Sequence, residues 1–365
     1  MIVMLRQRML AVAMAALAVS PAIWAQTAPP AAKPETPAQA APATPDPVEA
    51  ERKKFADAIK DATKVDGQFT FYTRKKDIFL ELPESRLGQL FCLQATLSTG
   101  AGADLQAGDP LNQDAIEVFR FERVDDAIRL VKPNLAHRWP ADHPLALAAS
   151  RSFPEAVLGD YTIIARNPDA KSVLINLNRM FDGQLVELPQ AIEAAFGPGF
   201  NLDSNLSRPL AVKSFPENAA IRMALNYRRM SRGDSSLAAL LAALTGASAA
   251  SPLADGRSLP LEVSFTLWFR ANNGSRPRLA DPRVGYFTTD FFERFKFSTV
   301  ERTTKYIQRF QLEKKQPFAP MSEPVKPIVW VLDPSIPPQY REAVKRGILY
   351  WNKAYFRQVT EGGHP

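Results

Sequence analysis

Residues 261–270 read Leu-Glu-Val-Ser-Phe-Thr-Leu-Trp-Phe-Arg, and their alternation decides the fold class. Leu261, Val263, Phe265, Leu267 and Phe269 take every second position, with Glu262, Ser264, Thr266 and Arg270 between them; Trp268 alone departs from the pattern. A side-chain period of two belongs to a strand with one apolar and one wet face. Residues 221–228 repeat it, with Ile221, Met223, Leu225 and Tyr227 set against Arg222, Asn226 and Arg228. Two long strands of this kind predict an antiparallel sheet or sandwich, because parallel strands covered on both faces read as continuous apolar runs.

Working outward, further strands are predicted at 68–73, 78–82, 90–98, 115–123, 127–132, 161–166 and 172–178. The first two form a hairpin around Arg74-Lys-Lys-Asp77, and in the second Ile78, Leu80 and Leu82 face one way while Glu81 faces the solvent side. Helices are predicted at 48–63 and at 188–196, the latter closed by Gly197-Pro-Gly199. Gly100-Ala-Gly102 lacks the Lys-Ser/Thr pair of a phosphate loop and reads as a turn. Residues 235–251, rich in Leu, Ala and Ser, are read as a short helix or an insertion, and residues 303–314 as strand or helix.

The C-terminal part has a different texture. After a Pro-rich linker at 315–327, residues 328–332 are five consecutive apolar residues, which predicts a strand buried on both faces. Pro338 suits the first turn of a helix. Val344, Ile348, Trp351 and Tyr355 then recur at helical spacing on one face. A strand, a turn and an amphipathic helix open an α/β domain. The expected architecture is α+β: a β-rich region at 49–314 with antiparallel sheets and few helices, then the first strand and helix of an incomplete α/β domain at 328–365.

At the other end, Arg6 and Arg8 precede the apolar run 9–19, and Ala22-Ile-Trp-Ala25 ends in a small residue. Residues 1–25 therefore read as a secretory signal peptide cleaved near Ala25. The competing reading is an uncleaved anchor, for which the run is short against a bilayer of roughly 30 Å. Residues 26–48, mostly Pro and Ala, read as a disordered tether. The formal charge of +7 includes Arg6 and Arg8, so cleavage leaves +5. Export places the chain in the periplasm or outside the cell, which argues against nucleic acid as a partner and against stable membrane insertion once the signal is removed. Cys92 is the single cysteine, so no internal disulfide is available and the core must hold the fold.

The stretch 324–356, together with Arg276-Pro-Arg-Leu-Ala-Asp-Pro-Arg-Val-Gly-Tyr-Phe287 and Tyr306-Ile-Gln-Arg-Phe-Gln-Leu-Glu-Lys314, resembles secreted bacterial zinc-dependent metallopeptidases of the metzincin-like kind, and the likeness extends loosely back to Phe55. In that family an N-terminal region precedes a domain carrying HExxH. The resemblance implies that 328–365 opens a metzincin-like domain. It further implies that the family's activity is peptide-bond hydrolysis by zinc-activated water, with peptides or proteins as substrates, and that the peptidase domain is this region's partner. The chain departs from the pattern: HExxH is absent, and 358–365 no longer look like the family. The expectation is an exported accessory region, inactive alone, that folds against, covers or presents substrate to the peptidase domain. The alternative is a stand-alone periplasmic binding or interaction module.

No residue is assigned a catalytic, metal or cofactor role. Zinc peptidase chemistry needs two histidines four apart on one helix with a glutamate between them. His137 and His143 are six apart across Pro140, and His364 is the penultimate residue; the first two read as loop or surface residues. Cys92, among Leu90, Phe91 and Leu93, reads as a small core residue. Phe265, Trp268, Phe269, Tyr286, Phe287, Phe291 and Phe292 could form a carbohydrate or peptide platform, but strand spacing favours the core. Arg278, Asp281 and Arg283 stand close enough for one carboxylate to sit between two guanidiniums. They are either a contact to the peptidase domain or a clamp within their own loop.

Overall fold

The computed structural model describes residues 46–102, 105–111, 116–229, 253–270, 274–294 and 303–360, with side chains as far as 352. The chain divides into two units between Pro45 and Asp46, and all described residues lie in the second. The signal peptide and tether expected at 1–45, and the segment 235–251, lie outside the described residues.

In chain order the elements are helix α1 (Pro47–Ile59), strands β1 (Thr63–Val65), β2 (Thr70–Arg74), β3 (Asp77–Pro83), β4 (Leu90–Leu97), β5 (Glu117–Val124), β6 (Ala127–Lys132) and β7 (His137–Arg138), helix α2 (Ala146–Ser152), strands β8 (Ala156–Asn167) and β9 (Ser172–Asn176), helix α3 (Leu188–Phe196), strands β10 (Phe200–Leu202), β11 (Arg208–Ser214), β12 (Ala219–Arg229), β13 (Ser258–Phe269), β14 (Thr288–Glu293) and β15 (Thr303–Ile307), and helix α4 (Pro338–Thr360). Twelve strands form one sheet, β1-β2-β3-β9-β8-β6-β5-β4-β13-β12-β10, with β11 also on β12, and every pairing in it is antiparallel. The β-rich antiparallel reading therefore holds. The alternating stretch is paired on both sides, with Phe265 opposite Ile221 of β12 and Ala95 of β4.

The sheet curls until its ends meet. The Gln68 N–H donates to the Phe215 carbonyl at 2.7 Å, the Phe69 N–H to Ser214 Oγ at 3.2 Å, and the Phe269 N–H to Gln68 Oε1 at 3.0 Å. That junction dictates a glycine at 67, since a Cβ there would stand 2.5 Å from the Ser214 carbonyl carbon.

Inside the curl, period-two strands deliver one apolar face each. Phe91 sits among Phe121 (4.8 Å between ring centroids), Phe119 (5.8 Å), Phe269 (6.2 Å) and Phe69 (6.4 Å), all buried. The excursion after β9 supplies Leu177, Met180, Phe181, Leu188 and Ile192 to the same core. The opposite face of β12 and β13 carries Arg222, Asn226, Arg228 and Glu262. A membrane-spanning barrel shows the reverse, apolar outward and polar inward. Among the described residues no helix is long and apolar enough to cross a membrane.

Several expectations need correction. β3 is buried on both faces, because α1 lays Phe55 on the outer face against Tyr72, Phe79 and Leu174. Asp46 caps that helix by accepting the Val48 N–H, and Pro47 stands in its first turn. Glu81 is consequently buried and satisfied three times, accepting from the Tyr72 hydroxyl (2.9 Å), the Ser172 hydroxyl (2.6 Å) and Asn167 Nδ2 (2.9 Å). Burial, and then the bond to Glu81, raise the Tyr72 pKa.

The second correction concerns 328–332. This segment is not a strand, and Val331 is 88% exposed. Apolar character and β propensity alone do not make a strand; a neighbouring strand must complete the ladder, and none among the described residues does so. The helix beyond it forms as expected, as α4, and its described side chains, 338–352, are exposed except for the half-buried Ile348.

Candidate functional site

Two of the three segments on which the family resemblance rested, 276–287 and 306–314, lie side by side. The Ile307 N–H donates to the Arg278 carbonyl at 3.0 Å and the Gln308 N–H to the Phe287 carbonyl at 2.8 Å, while the Ala280 N–H donates to the Lys305 carbonyl at 2.9 Å. Leu279 bridges Tyr306, and the Arg309 guanidinium donates to the Arg276 carbonyl at 3.0 Å. These bonds extend the sheet of β15 and β14 by one irregular edge.

The predicted trio separates on this edge. Arg283 clamps Asp281 through Nε at 2.9 Å and Nη2 at 2.6 Å, and its backbone N–H also reaches that carboxylate. The guanidinium and the backbone bond hold the Asp281 pKa below the ordinary carboxylate range. Arg278 is not bonded to Asp281: its backbone is committed to Ile307, and its side chain is exposed. The surface thus presents Arg276, Arg278 and Arg309, none in a salt bridge among the described residues, beside exposed Tyr286, Phe287 and Phe310. Phe287 is 85% exposed. This corrects the core reading for part of the aromatic set: Phe265 and Phe269 are core, whereas Tyr286, Phe287 and Phe292 are not.

The exposure is systematic. Between 274 and 352 no described residue is buried, and every buried apolar residue lies at or before Phe269. Charge follows the same division. Residues 46–273 carry 26 basic and 28 acidic side chains, whereas 274–360 carry 16 basic and eight acidic, so the excess positive charge falls on the segment whose described residues form no core.

β14 is fastened to the excursion between β6 and β8. It pairs in parallel with β7, and the Phe292 and Arg294 N–H groups donate to the Ala136 and Arg138 carbonyls at 2.7 and 2.9 Å. His137 Nδ1 accepts the Arg294 Nε–H at 3.0 Å, and its ring lies 4.2 Å from Phe153 and 5.2 Å from Phe292. Arg294 stacks on Phe153 at 4.5 Å, and Arg138 on Phe291 at 3.1 Å. His137 is therefore a strand residue in a ring stack, more engaged than a loop histidine. Sequence reading missed Arg294 and Phe153 because the stack joins Arg294 to residues 137 and 153, more than a hundred positions away; the local signal was the run Phe291-Phe-Glu-Arg294.

Desolvation and the Arg294 charge lower the His137 pKa below 6.5. A histidine whose folded pKa is depressed contributes fully above its unfolded value, and that contribution fades as the pH falls below about 6.5. Amide exchange at Phe292 and Arg294 is accordingly expected to accelerate, relative to core amides, between pH 7.5 and pH 5.5, and a His137→Phe variant should lose that dependence.

The described residues do not fit a zinc site: among them no group of three or more His, Cys, Asp or Glu side chains could hold a metal ion. His137 Nδ1 is committed to Arg294, and His143 Nδ1 accepts the Leu145 N–H at 3.2 Å. Cys92 is buried in β4, and burial pushes its thiol pKa up, away from the thiolate a nucleophile needs. The chemistry available at the exposed surface is recognition by guanidinium and aromatic groups.

Among known families, a model described as a domain of unknown function, DUF5117, matches residues 111–315, more than half of the chain. It includes β5 to β15 and the arginine surface. No curated protein and no solved structure matches.

Proposed function

The chain belongs to the DUF5117 domain family, and we propose that it serves as the exported accessory region of a zinc-dependent peptidase whose zinc-binding groups lie outside this sequence. The observation that carries this reading is that no described residue after Phe269 is buried. The run 328–332 and the helix α4 display Val329, Trp330, Val331, Leu349 and Trp351 to solvent. Apolar surface on this scale signals a partner. A strand-forming run followed by an amphipathic helix is what the opening of an α/β peptidase domain would supply, to be buried when the remainder of that domain is present. The family match ends at 315, so this segment lies outside what the family model covers. The curled sheet, with its own closed core, would be the accessory body.

In this reading the chain alone does not hydrolyse peptides; its part is to seat the peptidase domain, shield it or offer it substrate. The test is a caseinolysis assay of the purified chain with and without added zinc, alongside the coding DNA beyond its last codon. No turnover, together with an HExxH frame close downstream, is the expected pair of results. Zinc-dependent turnover that a chelator abolishes would sink the proposal. The second reading, a self-sufficient periplasmic binding module, is favoured by the completeness of the core from Phe55 to Phe269.

A further inference from the structure

We infer that the edge formed by residues 276–287 and 306–312 docks an acidic protein segment, its carboxylates meeting Arg276, Arg278 and Arg309 and its apolar side chains meeting Tyr286, Phe287 and Phe310. The inference deepens the preceding one, since the peptidase domain would be the natural source of that segment.

Three features argue for this occupant. First, the nearest carboxylate in the loop, Asp281, is already neutralised by Arg283 through two guanidinium contacts, so it leaves the other arginines without a salt bridge among the described residues. Second, the cations here are arginines. A guanidinium offers a planar fork that pairs with a carboxylate through two parallel bonds, whereas a lipid surface is served as well by lysine. Third, aromatic residues and arginine together are the composition that the buried centre of a protein interface favours, and the polypeptide that carries them is held in place by backbone bonds to β15. Free phosphate would satisfy the arginines and leave Tyr286, Phe287 and Phe310 uncovered.

The test uses the full mature chain and a short synthetic peptide of alternating Glu and Leu, compared with its Gln and Leu counterpart, a phosphoserine and Leu counterpart, and phosphatidylglycerol vesicles. The Glu peptide is expected to bind at least about tenfold more tightly than the Gln peptide, and to weaken as the ionic strength rises from about 0.05 to 0.5 M. The combined Arg276→Gln, Arg278→Gln and Arg309→Gln variant is expected to abolish the preference with at most a small fall in melting temperature, because the three side chains are exposed and the one bond lost is that of Arg309 to the Arg276 carbonyl. Equal binding of the Glu and Gln peptides, binding by the vesicles or the phosphopeptide in preference to the Glu peptide, or no binding at all overturns the inference. The readout is independent of peptide hydrolysis. A chain that hydrolyses casein with zinc and still prefers the Glu peptide would defeat the accessory role and leave this surface standing.

Discussion

A Phe91→Ala variant is expected to lose about 3–5 kcal/mol of folding stability, the range for truncating a fully buried phenylalanine. Phe91 is 0% exposed, and four phenylalanine rings stand within 6.4 Å of its centroid. The strands that carry those rings, β4, β5 and β13, are neighbours in the sheet, and Phe69 enters from the junction where its ends meet. Relaxation into the cavity would therefore have to move the strands themselves, which interstrand hydrogen bonds resist. Against a typical total of about 5–15 kcal/mol, the loss is large enough to unfold a substantial fraction of the protein at moderate denaturant. Urea titration of the wild type and variant, read as the shift in midpoint at constant slope, measures it. A loss below about 1 kcal/mol would mean that the rings are not one packed unit.

The sequence made such a core legible where one face of a strand was wet. Residues 221–228 and 261–269 announced β12 and β13, and the stretches 127–132 and 188–196 fixed β6 and α3 to the residue. Glu81 was misread because period two identifies the two faces of a strand and is silent on whether both are covered; the cover, α1 with Phe55, comes from elsewhere in the chain. Short strands such as β7 and β10 escaped because their existence depends on a distant partner: His137 pairs with Phe292, 155 positions away, and no local propensity encodes that, whereas β14 was legible as the strand that the loop 276–287 runs into. At the candidate surface the pair Asp281 and Arg283 was visible as a local turn, since both residues fall within three positions. The role of Arg309 was not, because its placement follows from the pairing of two segments thirty residues apart.

Removing residues 328–365 is expected to turn a chain that self-associates into a monodisperse one, with little change in melting temperature. The argument rests on where burial ends. No described residue in 328–352 is buried, so among the described side chains the deletion takes nothing from the core. It also spares the turn in which the Val325 N–H meets the Glu313 carbonyl at 2.8 Å. What it does remove is Val329, Trp330 and Val331 in an unpaired run of high β propensity, together with the apolar positions of α4. Such a run has neither ladder partner nor cover, and it can satisfy both needs by pairing with the same run in another copy. Analytical ultracentrifugation of the full chain, the deletion, and a full-length Val329→Glu, Val331→Glu variant separates the possibilities. The double variant should behave like the deletion if association starts at the apolar run, and like the full chain if α4 drives it. A full chain that sediments as a monomer at high micromolar concentration would show that exposure of this segment carries no demand for a partner, and the case for a missing domain would lose its physical basis.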